Sequence, residues 1–194
     1  MTKRSFDIIM SALGMFCLSP LLLLLSLAII LNSGFPVFYF QKRIGKGGHA
    51  FKLIKFRTMR TNSKGLQITL DKDPRISGIG SVLRKYKLDE LPQLLNIFFG
   101  QMSFVGPRPE VRKYVELYTA EEKKIISIKP GLTGLDSLNY SQESELLKNT
   151  IDPEHTYITE ILPEKIKLNL VYLEKRSFGY DISIILATIK KIFS

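Results

Sequence analysis

Asp89 and Glu90 stand side by side in the stretch Leu83 to Pro109, with Arg84, Lys85 and Lys87 just before them and Arg108 held between Pro107 and Pro109 just after. A carboxylate pair facing guanidinium and ammonium groups suits the handling of a phosphate: the cations hold the anion, and a carboxylate attacks phosphorus or holds a divalent metal. The residues also fit a plainer role. An aspartate ahead of a short apolar helix is a common helix cap, and Pro92 is tolerated in a first turn. Further cations lie upstream, in Lys55-Phe56-Arg57-Thr58-Met59 and in Asp73-Pro74-Arg75. Strand alternation puts Lys55 and Arg57 on one face, ordinarily a solvated one but a phosphate clamp when set beside a carboxylate pair.

These residues need elements to position them. Val37 to Gln41 and Phe51 to Phe56 are rich in aromatic and β-branched residues and are separated by Gly45, Gly47 and Gly48, which predicts a strand, a glycine turn and a strand. The glycines lack the spacing of dinucleotide-binding or Walker loops. Arg60 to Ser81 carries loop chemistry, including Asn62-Ser63-Lys64-Gly65. Leu91, Leu94, Leu95 and Phe98 follow at helical spacing, and Phe98-Phe99 favours a place at a lipid interface over the core. Lys113 to Lys129 reads as a surface or interfacial helix, and Ile161 to Phe193 as two helices divided near Phe178-Gly179.

The amino-terminal third is different in kind. From Ile8 to Gln41 there is no charged residue, and the apolar run is too long for a signal-peptide core and lacks a cleavage site after Leu31. Ser19-Pro20 divides it into two halves of about eleven residues, each reaching about half a bilayer at roughly 1.5 Å per residue. Lys3 and Arg4 precede the run and Lys42, Arg43 and Lys46 follow it, which places both ends on the cytoplasmic side. A re-entrant helix broken at Ser19-Pro20 satisfies both observations, with a kinked through-spanning helix as the alternative. The formal net charge of +10 points to anionic partners: nucleic acid, an anionic membrane surface or a phosphorylated substrate. Cys17 is the sole cysteine, so no internal disulfide forms.

Taken together, the motifs resemble those of the bacterial sugar transferases, the monotopic phosphoglycosyl transferases. The matching residues are Lys3-Arg4 with Asp7; Ser19-Pro20; Gly34 and Pro36; Gln41, Arg43, Gly45 and Gly48; Lys55 to Met59; Asp73 to Arg75; Leu83-Arg84 with Leu88 to Leu94; Met102-Ser103 with Val105 to Pro109; Pro130 to Gly134; and Ser177-Phe178 with Asp181. The resemblance implies an α+β protein in which residues 1–35 form a re-entrant membrane helix-break-helix. Residues 36–194 would form a cytoplasmic, membrane-associated catalytic domain, mostly helical, with a small β-hairpin and interfacial amphipathic helices. It implies transfer of a sugar-1-phosphate from a UDP-sugar to undecaprenyl phosphate at the cytoplasmic face of the inner membrane, with release of UMP. Downstream glycosyltransferases would use the product, nucleic acid would play no part, and membrane lipids would surround the helix.

By position, Asp89 is then the nucleophile and Glu90 the carboxylate serving Mg2+. Lys55, Arg57, Arg75, Arg84 and Arg108, the last framed by Pro107 and Pro109, are the phosphate-binding candidates. Three departures from the family pattern stand out: Gln101 and Asn169 replace aspartates, and Asp136-Ser137-Leu138-Asn139-Tyr140 replaces an Ala-Gln-Val-Asn-Gly-Arg pattern after Gly134. The rival reading is a non-catalytic, membrane-tethered basic module that binds anionic lipid or nucleic acid. It accounts for the charge and the anchor but not for the carboxylate pair framed by cations.

Overall fold

A computed structural model describes residues 2–60, 73–148 and 150–193; the Asn62 to Gly65 part of the expected loop lies outside them. The described residues divide into two compact units, one of residues 2–41, 52–60 and 73–100, the other of residues 42–51, 101–148 and 150–193.

The first unit is built on α1 (Lys3–Ser33), capped by Thr2, whose side chain accepts from the Ser5 N–H. α1 runs through Pro20 as one helix, where two halves were expected. Pro20 has no N–H to give the Phe16 carbonyl, and Ser19 Oγ donates to that carbonyl at 2.8 Å instead. One face, marked by Asp7, Ser11, Leu25 and Ile29 at spacings of 4, 14 and 4 residues, is buried. The opposite face exposes Ile9, Leu13, Phe16, Leu23, Leu24, Leu27 and Leu31. By length and composition α1 can cross a membrane.

β1 (Phe38–Ile44) and β2 (Ala50–Phe56) pair into a ribbon, longer at the turn end than the sequence suggested. α2 (Gly78–Lys85) and α3 (Gln93–Phe98) complete the first unit. Leu25, Ile29, Phe56 and Leu83 form its core. Ile29 and Leu83 are fully buried, and each such side chain contributes about 1.5–3 kcal/mol by leaving water. Asn96, also fully buried, ties α3 to β2 by accepting from Ile54 N–H at 3.0 Å and donating to Lys52 O at 2.8 Å.

In the second unit β3 (Ser103–Val105) pairs in parallel with β4 (Gly131–Thr133), in the register Ser103 to Gly131 and Val105 to Thr133. Neither strand was anticipated. The pairing demands glycine: a Cβ on Gly131 would lie 2.1 Å from the Gly106 nitrogen, and one on Gly134 would lie 2.3 Å from the Gly106 oxygen.

The helix expected over Lys113 to Lys129 is not continuous. α4 (Arg112–Val115) ends early, and a 3-10 turn occupies Glu122–Ser127. Between them Thr119 and Glu122 form a reciprocal cap, Thr119 N–H donating to Glu122 Oε2 at 2.7 Å and Glu122 N–H to Thr119 Oγ1 at 3.3 Å, which starts the chain afresh. Most of its apolar residues are core, not surface: Tyr114, Val115, Tyr118 and Ile125 are buried with Leu147, Tyr157, Ile161 and Ile166, while Leu117 stays exposed. α5 (Leu135–Asn139), α6 (Glu143–Leu146) and α7 (Pro153–Thr156) are short. α8 (Leu162–Lys175) and α9 (Phe178–Phe193) divide close to the expected place.

Candidate active site

Thr58, just past β2, organises the first unit's polar residues. Its carbonyl accepts from Ser77 N–H at 2.9 Å and from Ser77 Oγ at 3.2 Å, and Ser77 caps α2 by accepting from Gly80 N–H at 3.1 Å. α2 starts so close to this carbonyl that a Cβ on Gly80 would lie 2.1 Å from it. The helix thereby carries Arg84 back, and its Nε donates to Thr58 Oγ1 at 2.8 Å. Lys87 then adopts a left-handed conformation (φ 56°, ψ 19°) that ends the segment and turns the chain into the 3-10 turn Leu88–Glu90. Asp89 and Glu90 ride on that turn, 7% and 9% exposed.

The two carboxylates are treated differently. Lys55, on β2, donates to Glu90 Oε1 at 2.9 Å. Among the described residues no side chain donates a hydrogen bond to Asp89, and Asp89 does not cap α3, whose cap position is Pro92. Burial pushes the Asp89 carboxyl above its ordinary 3.8, with Glu90 adding to the rise and Lys55 and Arg84 opposing it. Burial likewise lowers the Arg84 guanidinium, against the pull of Asp89 and Asp73.

The other expected clamps have partners of their own. Arg75 Nε donates to Asp73 at 2.8 Å (Oδ1) and 3.0 Å (Oδ2), and this bond holds the Asp73 carboxyl below its ordinary value. Asp73 stands two residues away in the sequence and could have been read there as the partner of Arg75. Arg57 is 5% exposed and donates to the carbonyls of Ser33 (2.7 Å), Gly34 (2.6 Å) and Phe35 (2.9 Å). Its guanidinium terminates α1, where the last carbonyls lack helical partners, and so does not share a target with Lys55. Arg4 anchors the other end of α1 by donating to Ile97 O and Phe98 O, both at 2.7 Å. The structure thus gathers Lys55, Arg84, Asp89 and Glu90, with Asp73 and Arg75 acting electrostatically on Arg84.

Pro107, Arg108 and Pro109 belong to the second unit, where the backbone from Pro107 to Glu110 is tied at four points. Gly131 N–H donates to Pro107 O at 2.9 Å, Arg108 N–H to Asp136 Oδ2 at 3.0 Å, and Arg43 Nη1 to Pro109 O at 3.0 Å. The fourth tie, from Ile44 N–H to Glu110 O, is 2.9 Å. Glu110 anchors the segment from beneath, accepting from Tyr157 Oη at 2.7 Å and Lys165 Nζ at 3.2 Å; Lys165 also reaches Glu143 at 3.0 Å. Burial pushes the Glu110 carboxyl up, but Lys165, Arg43 and Tyr157 outweigh it and hold it below its ordinary 4.5. Asn169 Nδ2 donates to Asp136 Oδ2 here at 3.1 Å.

The family model for bacterial sugar transferases matches residues 1–194. The chain is 44% identical over 151 residues to the exopolysaccharide production protein ExoY of Sinorhizobium fredii, covering 69% of this chain and 67% of the relative. It is 35% identical over 191 residues to the uncharacterized sugar transferase EpsL of Bacillus subtilis, covering 98% and 86%. It is also 34% identical over 201 residues to the UDP-glucose:undecaprenyl-phosphate glucose-1-phosphate transferase of Escherichia coli, covering 98% of this chain and 40% of that longer protein. These matches do not favour a non-catalytic binding module. The chain belongs to the bacterial sugar transferase family, and it is a transferase.

Proposed function

We propose that the chain moves a sugar-1-phosphate from a UDP-sugar to undecaprenyl phosphate at the cytoplasmic face of the inner membrane, beginning the assembly of a polysaccharide or other glycoconjugate. An Asp89 carboxylate oxygen attacks the phosphorus bonded to the sugar, the bond to the bridging oxygen breaks, and UMP leaves with that oxygen. An oxygen of undecaprenyl phosphate then attacks the same phosphorus and frees Asp89. The observation that carries this reading is the contrast within the pair: Glu90 is engaged by Lys55, whereas Asp89 is buried, raised in pKa and receives no side-chain hydrogen bond among the described residues. A carboxylate so placed is more basic than a solvated one and keeps its lone pairs for phosphorus. Arg84 supplies positive charge beside it, and Pro107, Arg108 and Pro109 are proposed as phosphate-binding on their motif.

Among the described residues no three His, Cys, Asp or Glu cluster as a cage for a metal. The adjacent pair suits Mg2+ nonetheless, since that ion is commonly held by one or two carboxylates with substrate phosphates and water completing its shell. Glu90 would hold it, and the bound ion would neutralise charge on the diphosphate.

The re-entrant reading of α1 rests on its two ends. Arg4 and Arg57 tie both ends to one folded unit, while the apolar face between them is exposed. Phe35, Phe38, Tyr39, Phe40, Phe98 and Phe99 are exposed in the same unit, the residue type that gathers at membrane interfaces. α9 exposes Leu186, Ile189 and Ile192 beside Lys190 and Lys191, which suits an interfacial helix. Cysteine probes near Thr2 and near Lys46 should both be labelled from the cytoplasmic side; periplasmic labelling of the first would make α1 a through-spanning helix. The activity is tested by incubating purified protein with a panel of UDP-sugars, undecaprenyl phosphate and Mg2+. Formation of the lipid-linked sugar with UMP release is expected from one or a few of them, and release of UDP with any would refute phosphosugar transfer.

A further inference from the structure

We infer that Asp136 is the positioning residue for Arg108, acting with Asn169; this rests on the phosphate-binding role proposed above for Arg108. Asp136 is 1% exposed and is the second residue of α5, two positions after Gly134, which passes close against Gly106. Its carboxylate accepts four hydrogen bonds: Oδ2 from Arg108 N–H at 3.0 Å and from Asn169 Nδ2 at 3.1 Å, and Oδ1 from Ser137 N–H at 2.7 Å and Ser137 Oγ at 3.4 Å. Pro107 and Pro109 have no N–H, so the amide of Arg108 is the one backbone donor of the three-residue motif, and Asp136 receives it.

The other ties on this segment act on carbonyls: Gly131 holds that of Pro107 and Arg43 that of Pro109. Asp136 therefore supplies the constraint at the residue whose side chain matters. A guanidinium that binds phosphate through paired N–H bonds depends on where its Cα sits and how its backbone is turned, and small displacements cost turnover heavily. Asn169, on α8, delivers its amide N–H to the same carboxylate oxygen while its own Oδ1 is buried without a hydrogen-bond partner among the described residues. An amide held with one end unsatisfied serves its other end, which here is Asp136. One buried carboxylate, carried on α5, faces one amide, carried on α8, so the two side chains act as a single unit.

An amide at 136 offers one acceptor oxygen where four hydrogen bonds converge, so Asp136→Asn is isosteric and yet leaves at least one donor facing an NH2 group. A double-mutant cycle separates positioning from mere stability, since residues acting through one another are non-additive. Wild type, Asp136→Asn, Arg108→Ala and the double variant are assayed for UMP release at a temperature below all four melting points. Asp136→Ser, which keeps one acceptor, replaces the asparagine variant if that one does not fold. The expected result is a loss of about tenfold to a hundredfold in kcat/KM for the variant at 136 in the wild-type background, and less than about twofold when Arg108 is already alanine. Losses that multiply in the double variant, or an undiminished kcat/KM at 136, overturn the proposal while leaving the transferase reading intact. A wild-type protein that releases no UMP from any UDP-sugar refutes that reading, and the role of Asp136 in it falls with it.

Discussion

Asp89 and Glu110 are carboxylates of nearly equal burial, 7% and 8% exposed, each among lysine and arginine, and their chemistry diverges. Glu110 has Tyr157, Lys165 and Arg43 as hydrogen-bonded or ion-paired partners, and its carboxyl lies below the ordinary value. Asp89 has cations nearby but no side-chain donor in contact among the described residues, and its carboxyl lies above. Burial and neighbouring charge do not by themselves make a reactive carboxylate. What separates the two is whether the lone pairs are already taken: a saturated carboxylate holds a segment in place, and an unsaturated one is available for chemistry.

Four experiments would break or sharpen that contrast. The largest effect is expected on turnover. Asp89→Asn should lower it by at least about a thousandfold, as loss of a covalent nucleophile does, while leaving the protein folded. Turnover within tenfold of wild type would return Asp89 to the status of a structural residue. Next in size is the reverse outcome in the second unit. Lys165→Met strips the buried Glu110 of its principal cation and should cost about 3–5 kcal/mol of stability, read from denaturant unfolding. A loss below about 1 kcal/mol would mean that the Glu110 network contributes little to holding its segment.

Acid titration of stability should show opposite signs at the two sites. Glu110, depressed in the folded state, contributes stability that is present above its unfolded value near 4.5 and is lost as pH falls through its folded value. Asp89, raised in the folded state, costs stability that is absent below 3.8 and grows as pH climbs through its folded value. At pH 7, Asp89→Asn should therefore melt a few degrees above wild type and Glu110→Gln below it, with both gaps narrowing toward pH 3.5. Gaps of the same sign would refute the assignment. The smallest effect is expected at Arg57, whose charge is spent on α1 carbonyls. Arg57→Lys should lower stability by about 1–2 kcal/mol through lost carbonyl bonds and leave the KM for the UDP-sugar within about twofold. A tenfold rise in KM would restore it as a phosphate clamp.

Much of the first unit was legible in the sequence because its signals are local. The apolar run of α1 and the adjacency of Asp89 and Glu90 can each be read from neighbouring residues, whereas the break expected at Ser19-Pro20 is absent because Ser19 Oγ takes up the Phe16 carbonyl. The unread parts depend on distant partners. Arg57 looks like a strand cation until the carbonyls of residues 33 to 35 are found to face it. Tyr114, Tyr118 and Ile125 alternate with charges as an amphipathic surface helix would, and only the packing of Tyr157 and Ile166 against them makes them core. β3 and β4 span three residues each, too few for any period to show. The meeting of Asp136 with Asn169 spans 33 positions and has no signature at either end.

A nucleophilic Asp89 carries the sugar phosphate covalently before any acceptor arrives, and that species can be trapped. Purified protein is mixed with Mg2+ and a UDP-sugar labelled in its sugar phosphate, with no undecaprenyl phosphate present, and the quenched protein is digested and mapped. The account predicts UMP release no greater than one equivalent of enzyme, with label retained on the peptide that contains Asp89 and absent from the Asp89→Asn protein. UMP release that appears only after acceptor is added, with no labelled peptide, would contradict it and assign the carboxylate pair to metal binding in a direct transfer.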